Sequence, residues 1–373
     1  GKPGRLSKKG AGLAKISTIQ IGRAAAATSV VLCHTLHEAE KWPDVDPRLV
    51  AFSHYMPFGY GVDIFFVISG FVMYYISQSR RETPGYWKSF LENRVIRIVP
   101  VYWAFTLIMV GLVLALPQAF DTARFDIWQI LRSFLFLPGP TAEVGRPILS
   151  LGWTLNLEMY FYVLFAIALA VAGRRAVPLL SAVLVVTVAL HPLLARIAYP
   201  LEFWSQPIIL NFAAGMGLAA LHRRGAAWSR RGGLAALAGS LLVFLLLPAL
   251  DLDWMGPYAQ LPFAAAATLL VAALVLSPDV AATSPATRAA VTVGDASYTL
   301  YLCHPFVLTA VFLVWTWVPA LQVGGGWAYV AVAVVLSVIG AVIGYFLLER
   351  PLTALVKGQM AWRSAAAARR QDA

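Results

Sequence analysis

The chain has 373 residues, is 60% hydrophobic and only 13% charged, and carries a net charge of +11. A soluble globular domain carries about 25% charged residues, so the composition excludes an ordinary soluble enzyme and indicates an all-α polytopic membrane protein. The excess of positive charge would suit nucleic acid, but its placement along the chain follows membrane topology instead.

Ten apolar segments have near the length a helix needs to cross a bilayer. They are 19–36, 60–78, 98–116, 152–172, 176–194, 206–222, 233–250, 258–277, 297–318 and 327–348. An even number puts both termini on one side. Five Lys and Arg precede the first span and five more join the second to the third. Continuing this count, one side holds 22 and the opposite loops six: Lys41, Arg48, Arg124, Arg132, Arg146 and Arg196. The positive-inside rule then makes both termini cytoplasmic. The chain divides into a basic tail (1–18), a ten-helix membrane domain (19–348) and a second basic tail (349–373). No nucleic-acid partner is needed to explain the charge.

The first span, IQIGRAAAATSVVLCHTL, carries Arg23 and His34. Eleven residues at 1.5 Å rise place them roughly 16 Å apart along the helix. That step is close to three turns, so they share a face. Ionisable groups inside a membrane are costly, and function is their default explanation. With the N-terminus inside, Arg23 lies toward the cytoplasm and His34 toward the outer end. A neutral imidazole there could act as a general base on a hydroxyl or carry a group transiently; it could also be an interfacial histidine tied by a hydrogen bond. This apolar segment, with Arg23 inside it and no small-residue cleavage site, does not read as a cleavable leader.

The second span, YGVDIFFVISGFVMYY, begins outside and holds Asp63 near its outer end. Level with His34, a carboxylate would fix the tautomer of the ring; alternatively Asp63 caps the start of its helix. The segment Tyr86 to Arg97 reads as a basic amphipathic helix leading into the third span. Arg94 and Arg97, three apart in ENRVIRIVPVYW, share a face at the cytoplasmic entrance. They can grip phosphates bidentately or serve as snorkelling anchors. Arg23 inside the bundle favours an anionic ligand. The outer connection 117–151 contains FDIWQILRSFLFL, which is expected to lie at the interface.

Glu158 lies six residues into the fourth span, in LGWTLNLEMYFYVLF. It is expected in the outer half of the bundle, where a buried carboxyl suits acid–base work. His304 lies inside the start of the ninth span, beside Pro305, in ASYTLYLCHPFVL. It faces the same cavity with Tyr298 and Tyr301, or satisfies a backbone carbonyl freed by Pro305. Cys33 and Cys303 sit in apolar segments and form neither a disulfide framework nor a metal site. Walker, dinucleotide-binding and nucleophile-elbow motifs are absent, against an ATP-driven pump, a dehydrogenase or a serine hydrolase.

Arg23 and His34 with ten residues between them resemble the signature of the membrane-bound acyltransferase family 3. Further pieces agree in order: GVDIFFVISGF (61–71), Arg94-Val-Ile-Arg97, WTLNLEMYFY (153–162) and SYTLYLCHP (297–305). The branch it is most similar to is the short exopolysaccharide O-acetyltransferases. The resemblance implies a multi-pass protein of the bacterial inner membrane. Such a protein moves an acyl group, usually acetyl, from acyl-CoA (acetyl-CoA) to a hydroxyl of a carbohydrate or lipid-linked glycan, with no metal. By that analogy His34 is catalytic, with Glu158 supporting it; Asp63 joins them as a catalytic candidate by its depth alone. Arg23, Arg94 and Arg97 would meet the donor's phosphates, with Tyr298 and His304 beside them. A transporter or flippase of a polar lipid or sugar would use buried charges too; acetyl-CoA binding separates the two.

Overall fold

The computed structural model describes residues 17–42, 45–115, 127–141 and 145–371. The basic residues before Ser17, and Arg124, fall outside these. Among the described residues all regular structure is helical. A helix stands at each of the ten expected segments: α1 (Ser17–Ala39), α2 (Gly61–Ser77), α3 (Tyr86–Ala115), α4 (Gly152–Ala172), α5 (Ala176–Ala189), α6 (Leu210–Arg223), α7 (Arg230–Leu246), α8 (Leu261–Val275), α9 (Ser297–Trp317) and α10 (Gly325–Gly344). Among the described residues six helical stretches are long and apolar enough to cross a membrane: Pro47–Ser77, Tyr86–Ala115, Gly152–Ala189, Arg230–Ala249, Ser297–Trp317 and Gly325–Met360. Backbone polar groups cannot be left unpaired in lipid, so an apolar chain is driven to pair them within helices.

Boundaries follow local chemistry. The amphipathic segment at Tyr86 and the third span run together as one 30-residue helix with Pro100 inside it. α5 ends at Ala189, short of the predicted 194, because a new short helix starts at His191-Pro192. α10 passes through a π-helical turn, Tyr345–Glu349, into a terminal helix, Arg350–Gln371.

α1 is the axis of the bundle. It packs on α2, α8, α9, α10 and the short helix Pro285–Asp295. Its Gly, Ala, Ser and Thr content allows backbones to approach closely from several sides. Its N-terminus is capped by Asp279, whose carboxylate accepts the N–H of Thr18 at 2.9 Å. A Cβ on Gly61 would stand 2.5 Å from the Ala26 carbonyl oxygen, so α2 begins directly against α1.

α2 and α6 are pressed together most tightly. A Cβ on Gly70 would lie 2.1 Å from the carbonyl oxygen of Phe212, and one on Gly215 1.9 Å from that of Val67. Phe212 stacks on Phe66 at 4.5 Å and on Phe161 at 4.2 Å between centroids, carrying the core from α2 through α6 to α4. α7 instead turns Leu234, Leu241, Leu242, Leu245 and Leu246 outward, as a lipid-facing helix does.

Candidate active site

Helices α1, α2, α3, α4 and α9 enclose one cavity with about 790 Å³ of empty space, mouth included. Arg23, Arg94, Arg97, Glu158 and Tyr298 line it, together with Ser69, Tyr162 and Tyr301. Residues separated by 275 positions in the chain thus meet in one space.

The positive groups in this cavity are under-compensated. The side-chain ion pairs among the described residues are Lys41–Glu38, His54–Glu40 and Arg174–Glu82; none includes Arg23, Arg94 or Arg97. The Nε of Arg94 is buried without a hydrogen-bond partner among the described residues. Arg23 and Arg97 oppose one another electrostatically, while Glu158 and Glu349 act on Arg23 with the opposite sign. Removing such charges from water costs several kcal/mol each. Three guanidinium groups held this way concentrate positive charge and planar hydrogen-bond donors in one cavity, a chemistry that suits an anion.

Glu158 belongs with those cations, not apart from them as expected. Its Oε1 accepts hydrogen bonds from the Ser69 hydroxyl at 3.0 Å and the Tyr162 hydroxyl at 2.5 Å. Tyr298 lines the cavity with its ring, but its hydroxyl donates to the Ile98 carbonyl at 2.8 Å, tying α9 to α3. Tyr301 also lines the cavity. Its hydroxyl donates to the Leu151 carbonyl at 3.1 Å and accepts from Thr154 at 2.9 Å, and Phe65 meets it edge-on.

Behind Tyr301 stand two histidines. The ring centroid of His304 is 6.2 Å from that of Tyr301. His304 Nε2 lies 2.8 Å from His34 Nδ1, and His304 Nδ1 lies 3.0 Å from the Leu300 carbonyl oxygen. The imidazole planes differ by 12° with centroids 5.1 Å apart, the separation that an in-line N–H···N bond imposes on two nearly coplanar rings. His304 is fully buried, whereas His34 is partly accessible.

Asp63 is placed elsewhere. Gly61 packs on Ala26 and Val30, which precede His34 by two turns and one turn, so α2 starts below the ring. The Asp63 carboxylate is 3% exposed and accepts a hydrogen bond from Asn211 Nδ2 at 2.7 Å. It ties the first turn of α2, where a negative charge is favoured, to α6. The partner of the His34 ring is His304, not a carboxylate.

Sequence reasoning missed Glu349. It ends the π-helical turn after α10, is 7% exposed, accepts a hydrogen bond from Thr299 Oγ1 at 2.5 Å and acts on Arg97 and Arg23. An acidic residue closing an apolar run, in YFLLERP, was the available signal. Ser69 and Tyr162 lay inside quoted motifs with no role attached.

Comparison with known proteins shows the family. Residues 16–346 match the model of an acyltransferase domain family. The chain is similar to the exopolysaccharide production protein ExoZ of Rhizobium meliloti (strain 1021). The two are 36% identical over 297 residues, covering 78% of this chain and 88% of that protein. No solved structure matches the chain. With the match running through every helix that builds the cavity, the chain belongs to the acyltransferase family 3, within reach of its exopolysaccharide-producing members.

Proposed function

We propose that this chain is an integral membrane O-acyltransferase that moves an acyl group, most simply acetyl, from acyl-CoA to a hydroxyl of an exopolysaccharide or its lipid-linked precursor. One observation carries this reading: three guanidinium groups without ion pairs among the described residues share a cavity lined by Tyr301, whose ring meets that of His304, the partner of His34. Guanidinium groups suit phosphates because they present paired donors in a fixed plane. The buried, partnerless Nε of Arg94 fits an anionic donor. Arg23, Arg94 and Arg97 would hold the phosphates, and the thioester arm would run along the apolar wall toward Tyr301. The ten helices cross the inner membrane with both termini in the cytoplasm, so the nucleotide end enters from inside and the glycan meets His34 from the outer side.

His34 acts as the base. It takes the proton of the acceptor hydroxyl as that oxygen bonds to the thioester carbonyl carbon. The C–S bond breaks with its electron pair going to sulfur, and His34 returns the proton to the departing thiolate. The products are the ester and free CoA, with no redox change. Glu158, held by Ser69 and Tyr162, balances the arginines and keeps their forks turned into the cavity.

The test uses purified protein and acetyl-CoA labelled in its acetyl group. Wild type binds the donor, and His34→Ala binds it equally well but supports no transfer in membranes of the native strain. Label that stays on the protein only when His34 is present would replace direct transfer with an acyl-histidine step. Failure of the folded protein to bind any acyl-CoA would overturn the reading in favour of a transporter.

A further inference from the structure

We infer that His304 is a positioning residue that fixes His34 in one tautomer, with the hydrogen on Nδ1 and the lone pair on Nε2. The inference rests on the reading of His34 as the base.

The hydrogen-bond order leaves little freedom. A backbone carbonyl only accepts, so His304 Nδ1, 3.0 Å from the Leu300 oxygen, carries a hydrogen. No carboxylate pairs with His304 among the described residues, and a lone charge buried there costs several kcal/mol, so its ring is neutral. A neutral imidazole with Nδ1–H has its lone pair on Nε2. That atom lies 2.8 Å from His34 Nδ1, so His34 Nδ1 is the donor. His34 is then left with its lone pair on Nε2, the nitrogen turned away from His304. The burial pattern agrees: the orienting ring is fully enclosed and the oriented ring is partly accessible.

The arrangement performs the orienting task that a buried carboxylate performs in a Ser-His-Asp triad, with a neutral ring in the carboxylate's place. When His34 gains a proton at Nε2, its Nδ1 hydrogen already points at the His304 lone pair. The positive charge can be shared along the chain that ends on the Leu300 carbonyl. The pair holds one proton more than at rest, and gives it up to the leaving group.

Packing at this point also favours a fixed pair. Both rings extend from rigid helices, α1 and α9. Thr35, beside His34, is fully buried, with its hydroxyl donating to the Val31 carbonyl at 2.7 Å.

The experiment compares His304→Leu, His304→Gln and His34→Ala in native-strain membranes supplied with labelled acetyl-CoA, scaled to inserted protein. Leucine removes the acceptor for His34 Nδ1–H, whereas glutamine carries an amide oxygen to about the position of Nε2. The leucine variant is expected to lose roughly a hundred-fold in kcat with the KM for acetyl-CoA within about three-fold. The glutamine variant is expected to recover at least about ten-fold of that loss. Near-wild-type kcat in the leucine variant, or equal losses in leucine and glutamine, would overturn the inference. If the leucine variant fails to insert, His304→Asn, whose amide is too short to reach, takes its place in the comparison. Full transfer by His34→Ala would instead remove the underlying reading of His34, so the two failures are distinct.

Discussion

Substituting Arg97→Gln tests the anionic-donor site most directly. Arg97 lines the cavity and opposes Arg23 across it. Glutamine keeps much of the length and a hydrogen-bond donor but removes the charge and the planar fork. A hydrogen bond between charged partners contributes about 1.5–3 kcal/mol, and about 1.4 kcal/mol is a factor of ten in affinity. Losing one such contact should weaken acetyl-CoA binding roughly ten- to hundred-fold. A thermal-shift assay in detergent reads this without an acceptor. Donor at a hundred times the wild-type Kd stabilises the folded protein by about 2.7 kcal/mol. At the same concentration a variant with Kd raised a hundred-fold gains only about 0.4 kcal/mol. Without donor the variant loses both the Arg23–Arg97 repulsion and the Arg97–Glu349 attraction, so its stability should stay close to that of wild type. Arg97→Lys should fall between the two, keeping charge without the fork. An unchanged donor shift in folded Arg97→Gln would refute the placement of the phosphates among these arginines.

Other substitutions probe the supporting contacts. Tyr162→Phe removes one of the two hydroxyls on Glu158 and should lower transfer more than it lowers stability, about 1–3 kcal/mol being at stake; labelled-acetyl transfer against melting temperature separates the effects. Thr299→Val strips the hydroxyl donating to Glu349 and should destabilise the fold by about 1–3 kcal/mol, read as a drop in detergent melting temperature. Gly215→Ala forces a Cβ to 1.9 Å from the Val67 oxygen and should cost about 1–3 kcal/mol or more. Gly217→Ala, with nothing within 4 Å of its Cβ, should be neutral or mildly stabilising in the same assay.

The helices and the polar residues on them were legible in the sequence because each is a local property. Ten apolar runs predict ten helices, and Arg23 and His34 share a face by helical geometry alone. What lay beyond reach was which helix stands beside which. Spans such as α5 and α10 are apolar all round, so no stripe marks the side turned to a neighbour. His34 and His304, 270 positions apart, meet because α9 packs on α1. Asp63 looked level with His34 by counting from the outer surface, but the contact of Gly61 with Ala26 sets α2 lower. Glu158 was expected outside the cations for the same reason, and the hydroxyls of Ser69 and Tyr162 settle it among them. Glu349 escaped notice at the edge of the last span, where an acidic residue reads as a boundary.

The glycine contacts have a mechanical consequence. Gly61 locks α2 to α1, and Gly70 and Gly215 lock α2 to α6. Side chains can swing, but backbones seated on one another's carbonyls cannot slide without separating. Arg23, Ser69 and the helix bearing His34 therefore form a stiff wall. Arg94 and Arg97 ride on α3, just before Pro100, where the missing N–H frees the Ile96 carbonyl and softens the helix. That opposite wall is the one a bend at Pro100 can move, while α1 and α2 hold their spacing.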